Sequence, residues 1–217
     1  MEKAKSILWG IILFIPILYL ADGVSLVGTF TTNITLTWIF VFGSAAISIT
    51  LLTLLDRKIQ NRPSSQKQQS SYLKYLLLPI IWAIFIVVVN LVLNNLAFLP
   101  HSSENVLQSE TAQLLKGSLR WPMMLAVCLF GPICEELAFR GVIEHYLSKF
   151  FSYWVAVVVT ALIFVLLHAE AIIPSLSLFI FAVGLSVLNK NSGTLRTSII
   201  AHITYNVLVT ILVMIQL

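Results

Sequence analysis

The sequence predicts an all-α polytopic membrane protein, a bundle of about seven transmembrane helices with a cytoplasmic N-terminus. Of the 217 residues, 59% are hydrophobic and only 10% are charged, whereas soluble domains carry about 25% charged residues. The hydrophobic residues form runs of the length that a membrane-spanning helix needs, about 20 residues. The basic residues lie between these runs, as is typical of charges that set membrane topology.

This composition excludes a soluble enzyme, a nucleic-acid-binding protein and a disordered scaffold. The net charge of +4 does not indicate nucleic acid, because the basic residues are dispersed among apolar runs. We therefore expect the lipid bilayer as a partner and no nucleic acid. Cys128 and Cys134 lie in one apolar segment, and we expect two small buried hydrophobes rather than a disulfide framework.

Seven apolar runs are the predicted spans. The first follows Lys3 and Lys5 like a signal peptide, but it lacks a cleavage site with small residues, so we interpret it as an uncleaved span. None of the runs shows the period-two alternation of a membrane barrel strand. The predicted spans cover residues 6–22, 34–55, 74–99, 119–147, 153–170, 172–189 and 195–217.

The positive charges support this map of seven spans. With a cytoplasmic N-terminus, ten basic residues face the cytoplasm, and only Lys116 and Arg120 fall on the other side, as the positive-inside rule requires. The ten are Lys3, Lys5, Arg57, Lys58, Arg62, Lys67, Lys74, Lys149, Lys190 and Arg196.

The chain divides into two parts at about residue 118. Residues 1–118 hold about three spans, a polar cytoplasmic linker at 56–72 and an external loop at 101–118. Residues 119–217 hold the remaining four spans and form the predicted catalytic helix bundle. No internal repeat is evident, which weakens the interpretation as a transporter built on inverted repeats.

Polar residues at membrane depth are concentrated in the C-terminal part. Ionisable groups in a span cost about 2.5–3.5 kcal/mol each on insertion scales and mark functional sites by default. In the N-terminal part we expect Asn90, Asn94 and Asn95 to bond neighbouring helices. The C-terminal part carries Glu135, Glu136, Arg140, His168, His202 and Asn206.

The segment at 135–140 reads Glu-Glu-Leu-Ala-Phe-Arg. Glu136 and Arg140 are four residues apart, so they share a helix face and can pair. Glu135 lies about 100° around the helix and lacks that partner. We expect Glu136 and Arg140 to be structural and Glu135 to be free for proton transfer.

Two further patterns complete a candidate site. Phe164 to His168 reads Phe-Val-Leu-Leu-His, and His202 to Asn206 reads His-Ile-Thr-Tyr-Asn, with both polar residues on one helix face. A carboxylate, two histidines and a carboxamide can activate a water molecule and hold an oxyanion. Alternatively, two histidines and one glutamate form a zinc set with an open position. Both the metal-free site and the zinc site predict hydrolysis in the membrane.

These three patterns, in this order and within spans, resemble the motifs of the CPBP family of CAAX proteases and bacteriocin-processing enzymes, also called type II CAAX prenyl proteases or Abi proteins. The first motif is two adjacent glutamates followed by three residues and an arginine, the second is FxxxH and the third is HxxxN. The resemblance covers about 120–210. It implies an all-helical intramembrane endopeptidase.

The resemblance also implies a role for each matched residue. Glu135 and His168 would activate the water, and His202 and Asn206 would stabilise the oxyanion. Glu136 and Arg140, with Phe164 of the second motif, would support the site. If zinc is present, its ligands would be His168, His202 and Glu135. No cofactor is strictly implied, and we favour the metal-free glutamate mechanism over a metalloprotease.

Counting along the helices at about 1.5 Å per residue places His168 nearer the outer side than Glu135 and His202. A site therefore requires helix tilt or a break at Gly131-Pro132. We expect a membrane-associated peptide or protein substrate, with bacteriocin, leader or CAAX-like processing and self-immunity as the functions that the resemblance implies. The chain length favours a bacterial plasma membrane.

Two alternatives belong to other classes. The first is a non-catalytic membrane adaptor that binds a sensor kinase or a bacteriocin receptor, a membrane signalling partner. The second is a small proton-coupled transporter that uses Glu135 and His168 as a relay. Replacing Glu135 separates the protease from the adaptor, since an adaptor keeps its phenotype.

Overall fold

A computed structural model describes residues 14–24, 31–60, 73–96, 117–168 and 172–216. These residues form seven helices and contain no strand, so the predicted all-α bundle is confirmed. The helices are α1 (14–22), α2 (Ile34–Gln60), α3 (a π-helical turn at Leu73–Leu77 followed by Leu78–Leu96), α4 (Arg120–Leu147), α5 (Tyr153–His168), α6 (Ile172–Ser192) and α7 (Arg196–Gln216).

Four of these helices are long and apolar enough to cross a membrane: α2, α3, α4 and α7. Helix α5 is apolar but shorter, with 16 residues. Residues 61–72 of the predicted linker and residues 101–116 of the predicted external loop lie outside the described residues. The cytoplasmic position of the N-terminus stays a prediction.

Helix α2 begins and ends with local chemistry that its sequence supplies. Oδ1 of Asn33 accepts hydrogen bonds from the backbone N–H groups of Thr35 and Leu36 at 3.0 and 3.1 Å, so Asn33 caps the helix. The helix runs past the predicted end of the second span to Gln60. Arg57 and Lys58 lie in its last turn, where positive charge stabilises the helix dipole.

Helix α4 lies at the centre of the bundle. In its most apolar window 67% of the residues are buried, against 22% in each of the other three spans. Helix α2 packs along α4, α3 packs on α6 and α7, and α5 packs on α6. The polar residues of α4 are therefore shielded from lipid by the surrounding helices.

Helix α4 passes through Gly131-Pro132 without a break. Its path is altered instead by two π-helical stretches, Ala126–Phe130 and Leu137–Ile143. Glu135 and Glu136 lie on the α-helical turn between them, Gly131–Glu136. Such π-helical turns are rare and occur frequently at functional sites.

Two glycines are required by the packing and by the chain path. A Cβ atom at Gly184 of α6 would lie 2.0 Å from the Trp82 ring of α3, so only glycine permits this approach. Gly193 adopts a φ of 69° between α6 and α7, the left-handed conformation that glycine favours at a helix end. Its N–H donates to the Asn189 carbonyl at 2.8 Å and closes the turn.

Candidate active site

A buried ion pair lies at the centre of α4. Nη1 of Arg140 is 3.0 Å from Oε1 of Glu136, and both side chains are almost completely buried. Nη2 of Arg140 donates a second hydrogen bond to the Ala182 carbonyl of α6 at 3.0 Å. The pair predicted from the four-residue spacing is therefore formed, and it also ties α4 to α6.

His202 of α7 contacts both neighbouring glutamates. Its Nδ1 is 2.9 Å from Oε1 of Glu136, and its Nε2 is 3.6 Å from Oε2 of Glu135. Glu136 is paired with Arg140 and therefore ionised, so it accepts the hydrogen bond and Nδ1 of His202 donates it. This bond fixes the ring, and the other nitrogen faces Glu135.

Glu135 lacks the short contacts that Oε1 of Glu136 makes with Arg140 and His202. Both glutamates are buried, and Oε2 of each has no hydrogen-bond partner among the described residues. A buried polar atom without a partner costs about 1–3 kcal/mol. Oε2 of Glu135 faces Nε2 of His202 at 3.6 Å, so it is suited to receive a water molecule or a substrate group and to share one proton with that nitrogen.

Phe164 of α5 brings the second motif to this centre. Its ring centroid lies 4.4 Å from the His168 ring and 5.9 Å from the His202 ring. The guanidinium carbon of Arg140 is 4.8 Å from the Phe164 ring centre, a distance at which a cation is attracted to the ring face. The phenyl ring thus contacts residues of α4, α5 and α7, so all three motifs have a residue beside this one side chain.

His168 is half-buried at the last described residue of α5. Its Nδ1 is 2.8 Å from the Phe164 carbonyl. Because a carbonyl only accepts, Nδ1 of His168 carries the hydrogen and Nε2 is left with a lone pair in the neutral ring. The geometry therefore leaves Nε2 able to accept a proton.

Asn206 of α7 faces α4, one turn beyond His202. Its Nδ2 donates to the Val127 carbonyl at 2.9 Å. Both polar residues of the third motif therefore point into the bundle. Asn206 is bonded to the backbone of α4 itself, two turns before Glu135.

Asp22 is a further charged residue at the site, and it belongs to none of the three motifs. It is the last residue of α1 and lies between the buried residues Ala21 and Val24. Its carboxylate interacts electrostatically with His168 and Glu135. An ionisable residue at the end of an apolar run was the available signal, but its nearness to the motifs depends on the tertiary fold.

The structure also places the secondary polar residues. Glu144 lies one turn beyond Arg140, where it is buried and accepts a hydrogen bond from Ser186 of α6. Nδ1 of His145 donates to the Arg140 carbonyl at 2.7 Å. In α3, Asn90 accepts a hydrogen bond from Ser177 of α6 at 3.3 Å, so this amide does join two helices. The side chains of Asn94 and Asn95 lie outside the described part of the chain.

The zinc set predicted as an alternative does not fit this arrangement. Among the described residues, no group of three or more His, Cys, Asp and Glu side chains is arranged to hold a metal ion. His168 directs one nitrogen to a backbone carbonyl, and His202 directs one to Glu136. These bonds leave Nε2 of each ring available, as in many metal-ligating histidines, so it is the placement of His168, His202 and Glu135 in the described part of the chain that does not form a metal-holding group.

The comparisons with known proteins agree with the motifs. Residues 117–208 match the family described as type II CAAX prenyl endopeptidase, Rce1-like. UPF0177 protein YbdI of Lactococcus lactis subsp. lactis (strain IL1403) is 26% identical over 141 residues, which is 61% of this chain and 75% of that protein. No solved structure matches the chain. The matched segment contains all three motifs, and the resemblance to the CPBP family is confirmed.

Proposed function

We propose that the chain, whose residues 117–208 match the Rce1-like family, is an intramembrane endopeptidase. It hydrolyses a peptide bond in a membrane-associated peptide or protein. One observation carries this proposal: a buried carboxylate oxygen of Glu135 without a hydrogen-bond partner faces an imidazole that Glu136 and Arg140 hold in place. Bacteriocin processing, self-immunity and a bacterial plasma membrane stay predictions.

In the proposed mechanism Glu135 is the general base. It takes a proton from a water molecule while the water oxygen bonds to the carbonyl carbon of the scissile peptide. Nε2 of His168, which the Phe164 bond leaves unused, holds the same water. The carbonyl oxygen becomes an oxyanion, and the C–N bond is still intact at this stage.

His202 is proposed to serve the second half of the reaction. The proton on Glu135 passes to Nε2 of His202, 3.6 Å away, a separation that can shorten when substrate binds. The resulting imidazolium donates to the oxyanion and stays paired with Glu136. When the C–N bond breaks, the leaving nitrogen takes the proton, so one water is consumed and a carboxyl and an amine are released.

The relation of Glu136 to His202 resembles that of aspartate to histidine in a serine-protease triad, where the carboxylate orients the ring and stabilises its protonated form. Arg140 keeps Glu136 ionised, and Phe164 packs against both imidazoles. The oxyanion role that the resemblance gives to Asn206 stays a prediction. We propose that Glu135, His168 and His202 hydrolyse the peptide bond without a metal ion.

The test compares the wild type with Glu135→Gln in proteoliposomes. The probe is an internally quenched peptide that ends in a farnesylated CAAX sequence, and a second probe is the same peptide without the prenyl group. We expect cleavage by the wild type and loss of cleavage in Glu135→Gln. Cys134→Ala is the control, because it alters the adjacent buried residue and keeps the carboxylate.

Turnover of either probe by Glu135→Gln at the wild-type rate would contradict the proposed base. If the wild type cleaves neither probe, and if the cellular phenotype of the protein is unchanged by Glu135→Gln, the non-catalytic adaptor is favoured instead. The prenylated and unmodified probes also separate CAAX-like processing from cleavage of other membrane peptides.

A further inference from the structure

The backbone of α4 lacks a hydrogen-bond donor two turns before Glu135. In the π-helical stretch the Gly131 N–H is directed at the Ala126 carbonyl, five residues earlier. At the same spacing, the donor for the Val127 carbonyl belongs to residue 132, which is proline and has no N–H. At the α-helical spacing the donor is Gly131, which already points to Ala126. The Val127 carbonyl is therefore left without a donor in either register.

Asn206 supplies the missing donor. Its Nδ2 lies 2.9 Å from the Val127 carbonyl oxygen. The adjacent turn is packed closely, since Sγ of Cys128 is 3.3 Å from Oγ1 of Thr210 and 3.8 Å from the Asn206 carbonyl. One turn of α7 is thus seated on the π-helical turn of α4.

We propose that Asn206 is a positioning residue whose carboxamide replaces the backbone N–H that Pro132 lacks. It fixes the π-helical turn and thereby the direction of the next turn, which carries Glu135 and Glu136. Helices α4 and α7 are then joined at two levels, by Asn206 with Val127 and by His202 with the two glutamates. This inference rests on the proposed function and gives Asn206 a task other than binding the oxyanion.

The positioning role and the oxyanion-binding role of Asn206 make opposite predictions for the double variant Asn206→Ala with Pro132→Ala. Pro132→Ala returns an N–H to position 132, at the spacing that reaches the Val127 carbonyl. If Asn206 acts by satisfying that carbonyl, Pro132→Ala rescues Asn206→Ala. If Asn206 donates to the reacting oxygen, the restored N–H cannot help, because it points along the helix.

The experiment uses the full chain in proteoliposomes and the farnesylated CAAX probe. We expect Asn206→Ala to lower kcat roughly 10- to 100-fold with little change in KM, as loss of one buried hydrogen bond implies. Pro132→Ala alone should stay near wild type, and the double variant should regain most of the lost kcat. Thr210→Val is the matched control, since it changes the same helix contact without touching Val127.

Amide hydrogen exchange of residues 126–136 gives a readout that does not need a substrate. Exchange should be faster in Asn206→Ala and return towards the wild-type rate in the double variant. The inference is overturned if the double variant has the same low kcat and the same fast amide exchange as Asn206→Ala while Pro132→Ala alone keeps the wild-type kcat. If the wild type cleaves neither probe, the proposed function fails, and the exchange rates alone decide the role of Asn206.

Discussion

The Nδ1 atom of His202 lies 2.9 Å from Oε1 of Glu136, and this contact determines which nitrogen of the ring reaches Glu135. Two adjacent glutamates on one helix turn thus have different partners. Oε1 of Glu136 binds Arg140 and His202 at 3.0 and 2.9 Å, whereas Oε2 of Glu135 lies 3.6 Å from Nε2 of His202. The chemistry of the two carboxylates can therefore be separated by single substitutions.

Glu135→Gln and Glu136→Gln are expected to fail in different ways. Glu135→Gln keeps the size of the side chain and loses the base, so turnover should vanish while the melting temperature is unchanged. Glu136→Gln removes the counter-charge of buried Arg140 and should lower the stability by about 3 kcal/mol. Both are measured by thermal unfolding in detergent and by probe cleavage. Equal loss of activity with equal stability in the two variants would contradict this assignment.

Chelation should leave the activity unchanged. The described residues offer no arrangement that holds a metal ion, and the proposed base is a carboxylate. We expect dialysis against a chelator to preserve turnover of the farnesylated probe, and added zinc to have no effect. Stoichiometric zinc in the purified protein, with activity that follows its removal and return, would establish the metalloprotease and make Glu136 the candidate base.

Much of the fold and part of the site follow from the sequence. The apolar runs give the helices because each must satisfy its backbone within the bilayer, and the spacing of Glu136 and Arg140 gives their ion pair. The inward direction of His202 follows from the cost of burying an unpaired imidazole. These are properties of single helices, and local spacing is sufficient to predict them.

The remaining features depend on contacts between distant helices. The burial of Glu144 near the end of α4 depends on Ser186 of α6, which donates a hydrogen bond to its carboxylate. Asp22 reaches the site only because α1 packs against the later helices. The donor from Asn206 to Val127 depends on a π-helical turn, and hydrophobic periodicity does not reveal such a turn.

Gly184→Ala is expected to destabilise the bundle. A Cβ atom at this position would lie 2.0 Å from the Trp82 ring, so α3 and α6 must move apart or the indole must leave its place. Overpacking of this kind costs about 1–3 kcal/mol. Gly43→Ala is the matched control, because nothing lies within 4 Å of its added Cβ. If Gly184→Ala melts at the same temperature as the wild type, α6 does not approach the Trp82 ring so closely that only glycine fits at position 184.

Phe164→Ala should reduce both stability and turnover. The ring is fully buried and packs against His168, His202 and Arg140. Loss of a buried phenylalanine costs about 3–5 kcal/mol, and here it also removes the surface that aligns two imidazoles. Leu162→Ala, on the exposed side of the same helix, is the control and should be nearly neutral. If Phe164→Ala keeps the full kcat at a temperature where it is folded, the ring has no part in aligning the histidines.

The burial of α4 has a consequence for the biogenesis of the protein. This segment carries Glu135, Glu136, Arg140 and Glu144, and at the centre of an isolated helix each charge opposes insertion by about 2.5–3.5 kcal/mol. Glu136 and Arg140 pair with each other within α4, but the other partners of these charges, Ala182, Ser186 and His202, are synthesised later. A nascent chain released after Leu147 should therefore integrate poorly, and α4 should enter the bilayer together with α6 and α7 rather than one helix at a time.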